Sequence, residues 1–407
     1  LTADMFFWVP VLLGASISLM IVYCRGKSIT AIQGIVLVAW HTMFSFVYLK
    51  YSETNASDAN GYYLKGLLGD IDWNVGTKFV YSLCVVLVQT LGMSKLSSFM
   101  FFNLVGIIGL IFLMKALTEV WPVRGTYLDK IPVVMLFLPG VSFWTSAIGK
   151  DAPAFSGLCM LCYGVLNIAK RKMLITIGLA AMFAVRPHIA LILISSLVVS
   201  LVVSRRDVSL VSRGVIALAG VAVGVFIAPL ALGYVGLATD ASIDDVADIV
   251  EKRQGYNLGG GASVDIQSMS LPMQMITYMF RPLFIDADGA FGLIVSAENV
   301  ILIGLFIMFI PSAIKCVIAL PSLPGRFCAI YLVVGLAVLA STTSNMGIAI
   351  RQKTMLLPAL FLLIAISERW RLNRKRNMGG RPQGSGRLAN AGRPPTGWYP
   401  VYPRSGE

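Results

Sequence analysis

Long apolar runs broken by short polar interruptions dominate this chain. A helix that crosses a bilayer needs about 20 largely apolar residues. Residues 5–24 and 30–49 meet that length and are separated by Arg25 and Lys27. Residues 78–93 and 97–117 predict a pair of spanning helices around Ser94-Lys95. The run 131–148 is apolar but interrupted by Pro132 and Pro139, which predicts a segment that dips into the membrane and returns. Residues 152–169 end at Lys170-Arg171-Lys172, and 173–185 and 189–204 flank Arg186-Pro187-His188. Further spans are predicted over 211–236, 296–319, 327–342 and 354–367. Two polar loops, 50–77 and 238–295, interrupt the series. The pattern predicts an all-α polytopic membrane protein with about 10–12 transmembrane helices, short and re-entrant segments included. It forms one domain over 1–368, followed by a tail, 369–407, whose Arg, Gly and Pro content predicts disorder.

Composition sharpens this. Hydrophobic residues make up 57% of the 407 positions and charged residues only 13%, against about 25% charged in soluble domains. The net charge of +13 raises the question of nucleic acid, but no soluble basic domain exists to carry such binding. Many of the cations follow the last apolar run, among them Arg369, Arg371, Arg374, Lys375 and Arg376. That is the mark of a cytoplasmic tail under the positive-inside rule. The six cysteines sit in or beside apolar segments, and Cys159-x-x-Cys162 has no histidine near it in sequence. It reads as small apolar helix residues rather than a metal or redox pair. The first apolar run lacks a basic flank and a small-residue cleavage site, which predicts a retained helix rather than a signal peptide.

Charge placement then predicts topology. Putting Arg25, Lys27, Lys95, Lys170 to Lys172, Arg205, Arg206, Arg326 and the tail on the cytoplasmic side satisfies the rule almost throughout. Residues 173–204 then form a hairpin of two short helices with Arg186 at its outer tip. The alternative is one long span with Arg186 at mid-membrane, at a cost of at least about 2.5–3.5 kcal/mol on insertion scales. In the hairpin topology Asp58, Lys150, Asp151, Arg186, His188, Arg281, Arg351 and Lys353 all face the outer side. Membrane insertion asks for cations inside, so basic clusters at outer helix ends point to an anionic ligand.

Each candidate has a functional and a plainer reading. Asp58, ahead of Tyr62 and Tyr63, fits a general base beside aromatic platforms, because desolvation near a membrane strengthens a carboxylate as a base. It fits equally a solvated acid with interfacial tyrosines. Trp144 with Lys150 and Asp151 fits a re-entrant tip that orients a polar substrate, or an interfacial Trp beside a surface ion pair. Arg186, with His188 two residues on, fits a phosphate clamp, since a guanidinium fork matches phosphate oxygens; it also fits a helix-capping arginine. Residues 278–284 are too short to span and predict an interfacial helix, with Arg281 turned inward or reaching the head groups. Gly259-Gly260-Gly261 lacks the lysine and flanking elements of a phosphate loop and reads as a hinge. Arg351 and Lys353, opening the last helix from outside, suit an anionic lipid head group. Asn55-Ala56-Ser57 matches the N-glycosylation acceptor pattern, a common chance match.

The order Asp58-x-x-x-Tyr62, Phe143-Trp144-Thr145-Ser146 with Lys150-Asp151, Arg186-Pro187, then Arg351 ahead of Pro358 resembles the GT-C superfamily of integral-membrane glycosyltransferases. Within it, the resemblance is to bacterial mannosyl- or arabinosyltransferase-like and polysaccharide-polymerase-like members, over about residues 30–367. It implies an inverting glycosyltransferase of a bacterial-type plasma membrane with an extracytoplasmic active site. Its donor would be a polyprenyl-phosphate-linked saccharide and its acceptor a cell-envelope glycan or lipid. Asp58 would serve as base, and Arg186, Arg281 and Arg351 would hold the departing phosphate with help from His188 and Lys150. A divalent cation shared by Asp58 and Asp151 is left open. The rival is a transporter or flippase of anionic lipid-linked saccharides, with a broken-helix core at Pro139 and Pro187.

Overall fold

The computed structural model describes residues 3–24, 31–122, 125–203, 210–235, 266, 268–287, 289–319 and 322–379. Arg25, Lys27, Arg124, Arg205, Arg206, the loop 238–265 with Gly259-Gly260-Gly261, and the tail from residue 380 onward lie outside the described residues. Among the described residues every regular element is a helix. In chain order these are α1 (Ala3–Cys24), α2 (Ala31–Thr54), α3 (Asp58–Leu68), α4 (Thr77–Val85), α5 (Lys95–Val120), α6 (Ile131–Leu136), α7 (Pro139–Thr145) and α8 (Asp151–Val165). They are followed by α9 (Ile168–Val185), α10 (Pro187–Val202), α11 (Leu210–Val235), α12 (Leu271–Phe280), α13 (Gly289–Ala319), α14 (Leu323–Ser341), α15 (Met346–Gln352) and α16 (Leu357–Gly379).

Six described helical segments are long and apolar enough to cross a membrane, or seven if the pair that meets near residue 356 with a 52° bend counts as one span. Pro187–Val202 is a shorter apolar helix of the same kind. Many of their outward residues are large and apolar, such as Phe46, Ile307 and Val333. In water such a surface would aggregate; in a bilayer it is the expected finish. The chain is therefore a multi-pass integral membrane protein.

At the centre is α5, largely apolar on its inner side and packed against α1, α2, α8 and α16. Its 26 residues span about 39 Å at 1.5 Å per residue. Small residues set the spacing of its neighbours: Gly106 lies against Thr145 and His41, and Gly109 against Phe155 and Ser156. Gly157 and Gly178 let the backbones of α8 and α9 touch, the close approach typical of membrane helices.

The two ends of α5 define the two ends of the molecule. At its start, Lys95 Nζ donates to Asn60 Oδ1 at 2.7 Å and to Ser52 Oγ at 3.0 Å. In its last turn, Glu119 accepts from both terminal nitrogens of Arg171, and its carbonyl accepts from Arg369. Lys95 therefore shares an end with Asp58, contrary to the charge-based expectation, while Arg171 and Arg369 share the opposite end as expected.

One segment accounts for the difference. Residues 78–93 do not cross. α4 and the wide π turn that extends it to Thr90 make a 14-residue apolar helix. At about 21 Å it is shorter than the roughly 30 Å hydrocarbon layer. It packs on α3, where Gln89 Nε2 donates to the carbonyls of Gly66 and Gly69. Its leading edge is tied back by Gly76 N–H donating to Ala184 at 2.7 Å. With that crossing removed, α5 starts at the Asp58 end instead of finishing there. Residues 127–145 then run from the far end of α5 to the Asp58 end as a broken crossing, not as a dip and return. The break falls at Phe137-Leu138, where Pro139 begins α7. The expected polar loop 50–77 is itself largely helical, since α2 runs to Thr54 and α3 fills 58–68. Residues 369–379 continue α16 rather than starting a disordered tail.

Candidate functional site

Four segments far apart in sequence meet at the Asp58 end. Asp58 opens α3, which is capped by Ser57 accepting from Ala59 N–H. Asp151 opens α8. Arg186 is the single non-helical residue between α9 and α10, where Pro187 prevents continuation. Arg351 lies in the last turn of α15, just before the bend into α16.

Their side chains form one chain of charge. Arg186 Nη2 donates to Asp151 Oδ1 at 2.7 Å. The other oxygen of Asp151 accepts from Arg351 Nε at 2.5 Å. Arg351 Nη1 then donates to Asp58 Oδ2. The order is Arg186–Asp151–Arg351–Asp58, with alternating sign. Burial grades along it: the Asp151 side chain is 5% exposed, Arg351 17% and Asp58 58%. Asp58 is therefore the member that meets solvent. Removing water from such charges is costly unless each finds a partner, and here the chain of pairs supplies it.

Two buried donors in the same place are not used internally. Arg186 Nε and Trp144 Nε1 have no hydrogen-bond partner among the described residues. Trp144 also presents its ring to the Arg351 guanidinium, 5.8 Å from the centroid, within cation–π range. Unsatisfied buried N–H groups are uncommon and ask for an acceptor. Donors beside a guanidinium suit an anionic one.

The remaining sequence candidates fall into three positions. Tyr62 is buried at the network: a Cβ placed on Gly149 would sit 3.7 Å from both the Tyr62 ring and Arg351 Nη2. Burial pushes the Tyr62 hydroxyl well above its ordinary pKa, so it stays protonated and can only donate or accept a hydrogen bond. Tyr63 follows it on α3 and packs against the core. Lys150, next to Asp151, donates to Thr77 Oγ1 at 3.1 Å, so it ties α4 to the site. His188 lies in the first turn of α10, two residues from Arg186.

Arg281 and Lys353 form a separate group. The Arg281 guanidinium grips Asp286 through Nε at 2.9 Å and Nη2 at 2.6 Å, rather than turning toward Asp58. That hydrogen-bonded pairing holds the Asp286 carboxyl below the usual carboxylate range. Lys353 Nζ is buried and donates to Asn299 Oδ1 at 2.7 Å and to the Arg281 carbonyl at 3.3 Å. Asn299 Nδ2 donates to the Pro282 carbonyl at 2.7 Å. Residues 281–286 are thus strapped to α13 and the α15–α16 bend, immediately behind Arg351. One residue before Asn299, Glu298 accepts from Gly140 N–H at 2.5 Å, which pins the start of α7.

Sequence reading missed two features. The first is an aromatic shelf beside Trp144. Tyr48, Tyr51, Phe143 and Phe291 surround it, with ring centroids 4.7–6.5 Å apart. Tyr48 and Tyr51, three apart on α2, were visible as one helix face; Phe291 carried no signal. The second is the buried polar set His41, Asn103 and Thr145. His41 bonds Asn103 at 2.6 Å and Thr145 at 3.0 Å, locking α2, α5 and α7 together beneath the shelf. A lone histidine inside an apolar run was the available signal.

The carboxylates of Asp58 and Asp151 do meet, but through Arg351, whose guanidinium stands between them. A divalent ion shared by the two would have to displace that cation. No group of three or more His, Cys, Asp or Glu side chains comes together among the described residues. Comparison with family models, with curated proteins and with solved structures found no match.

Proposed function

We propose that this protein is a membrane glycosyltransferase that moves a sugar or oligosaccharide from a polyprenyl-phosphate-linked donor to a cell-envelope glycan or lipid acceptor. The observation that carries the reading is the Arg186–Asp151–Arg351–Asp58 chain, buried at one end and open at the other. In this reading the acceptor hydroxyl attacks the anomeric carbon and gives its proton to Asp58. The bond from that carbon to the phosphate oxygen breaks, and the polyprenyl phosphate leaves with the electron pair. Negative charge grows on the leaving phosphate, so fixed cations stabilise the transition state more than the ground state. Arg351 and Arg186 are placed for that role, with Arg186 Nε and Trp144 Nε1 as further donors.

Asp151 is the positioning residue. It holds both guanidinium groups in fixed orientation, which limits the reorganisation needed when phosphate arrives. Because Arg351 also binds Asp58, an incoming phosphate competes with Asp58 for the guanidinium and releases the carboxylate to take the acceptor proton. The shelf of Tyr51, Trp144 and Phe291 offers flat faces to the C–H side of a sugar ring. The pattern of cations at the Arg171 and Arg369 end supports placing that end in the cytoplasm and the site on the outer face.

A transport reading draws on one observation, the broken crossing at Phe137-Leu138. Purified protein in detergent, given lipid-linked donor and acceptor, separates the two. A transferase forms glycan product without a sealed membrane, and a flippase forms none.

A further inference from the structure

The opposite end of the molecule carries a second charged feature of different design. Between α13 and α16 lies a cleft of about 650 Å³. Its floor is apolar, from Met308 and Pro311, and its rim is cationic, from Lys315, Arg371, Arg374 and Lys375. Arg371 is already committed to the buried carboxylate of Glu368, at 2.7 Å. Lys315 and Lys375 make no ion pair among the described residues, and Arg374 stacks over the Trp370 ring at 5.5 Å. Among the described residues, three cations thus gather around one opening without an ion-pair partner. Like charges so placed repel, and an anion between them removes the repulsion.

The surroundings decide what kind of anion. Ile314 and Ile318, flanking Lys315 on α13, are exposed, as are Ile307 and Met308 one to two turns earlier. That surface belongs to lipid, so the cleft opens sideways into the bilayer at the level where Trp370 marks the interface. An inorganic phosphate would use the rim but not the floor. A phospholipid uses both, with its head group among Lys315, Arg374 and Lys375 and an acyl chain along Met308 and Pro311. Basic pockets between helices at the membrane surface favour anionic lipids for this reason.

We infer that the cleft between α13 and α16 is a binding site for an anionic phospholipid, separate from the Asp58 site and at the opposite end of the protein. Occupation adds a further link between α13 and α16, which already pack together. These helices carry Asn299 and the bend next to Lys353, so the lipid braces the framework behind Arg351.

The test uses the full chain, purified and reconstituted into nanodiscs of phosphatidylcholine or of phosphatidylglycerol, with retained lipid read by native mass spectrometry. Wild type should retain phosphatidylglycerol over phosphatidylcholine by roughly tenfold, given about 1 kcal/mol per cation near the surface and partial screening. The variant Lys315→Gln/Arg374→Gln/Lys375→Gln should lose that preference. Lys170→Gln/Lys172→Gln, which removes exposed cations elsewhere at the same end, should keep it. Arg374→Gln alone should fall between. Three results would overturn the inference: no preference in wild type, equal loss in the Lys170/Lys172 variant, or displacement of the lipid by millimolar inorganic phosphate. None of these readouts involves sugar transfer, so the outcome is independent of the proposed activity.

Discussion

The two ends of this protein use charge in different ways. At the Asp58 end, two arginines and two aspartates interlock so that Asp151 serves both guanidinium groups and Arg351 serves both carboxylates. At the other end, Arg171 pairs with Glu119, Arg371 with Glu368, and further cations stand open around a cleft. The basic end carries the open cations that the positive-inside rule associates with one face of a membrane protein. The Asp58 end does something insertion does not demand, because a helix bundle could close there with apolar residues at lower cost. Charge that is costly to bury and not needed for the fold is the stronger sign of a functional site.

Substitutions at the two ends should therefore differ sharply in cost. The largest loss is expected from Asp151→Ala. It leaves Arg186 and Arg351 buried without their shared partner, a change that typically destabilises by about 3–5 kcal/mol. Unfolding of the purified protein in detergent would register it, and adding Arg186→Met should restore part of the loss. Wild-type stability in Asp151→Ala would mean that the chain of pairs is incidental to the fold.

A smaller effect is expected in the strap behind Arg351. The Asp286 carboxyl is held below its ordinary value by Arg281, so its stabilising pairing is complete above the unfolded pKa of about 4. It is lost as the pH falls through the lower, folded value. Hydrogen exchange at residues 281–286 should therefore rise only on strong acidification, and in Asp286→Asn it should already be raised at neutral pH. Exchange that does not change in either case would show that other contacts hold the strap. The smallest effect belongs to Glu119→Gln at the basic end. Its pair with Arg171 is partly exposed, and such pairs contribute no more than about 1 kcal/mol, so the thermal midpoint should hardly move.

How far the sequence reveals this differs between fold and site. The all-helical membrane class was legible because apolar runs of spanning length have few other solutions. The meeting of Asp58, Asp151, Arg186 and Arg351 was legible in outline because each stood at the end of an apolar run, where polar ends gather. Which of them would touch was not. Arg281 reads like another site cation, yet Asp286, five residues on, satisfies it locally. The path of residues 78–93 was misread because a 14-residue apolar helix lying on α3 and a short span have the same composition; only length separates them, and the margin is a few residues. That one error reversed the direction of α5 and turned the broken crossing at 127–145 into an expected dip. The aromatic shelf was hidden because Phe291 reaches Tyr51 and Phe143 only through tertiary packing.

The central claim is that Asp58 takes a proton during sugar transfer. Asp58→Asn keeps the shape and a hydrogen-bond acceptor toward Arg351 but removes the base. The most direct measurement follows turnover and donor binding in the same preparation of wild type and Asp58→Asn, with a lipid-linked donor pool and acceptor. The account predicts that turnover falls by about 10²–10⁴-fold, the usual scale of general-base catalysis, while donor affinity stays within a few-fold of wild type. Sugar transfer at the wild-type rate by Asp58→Asn would contradict it.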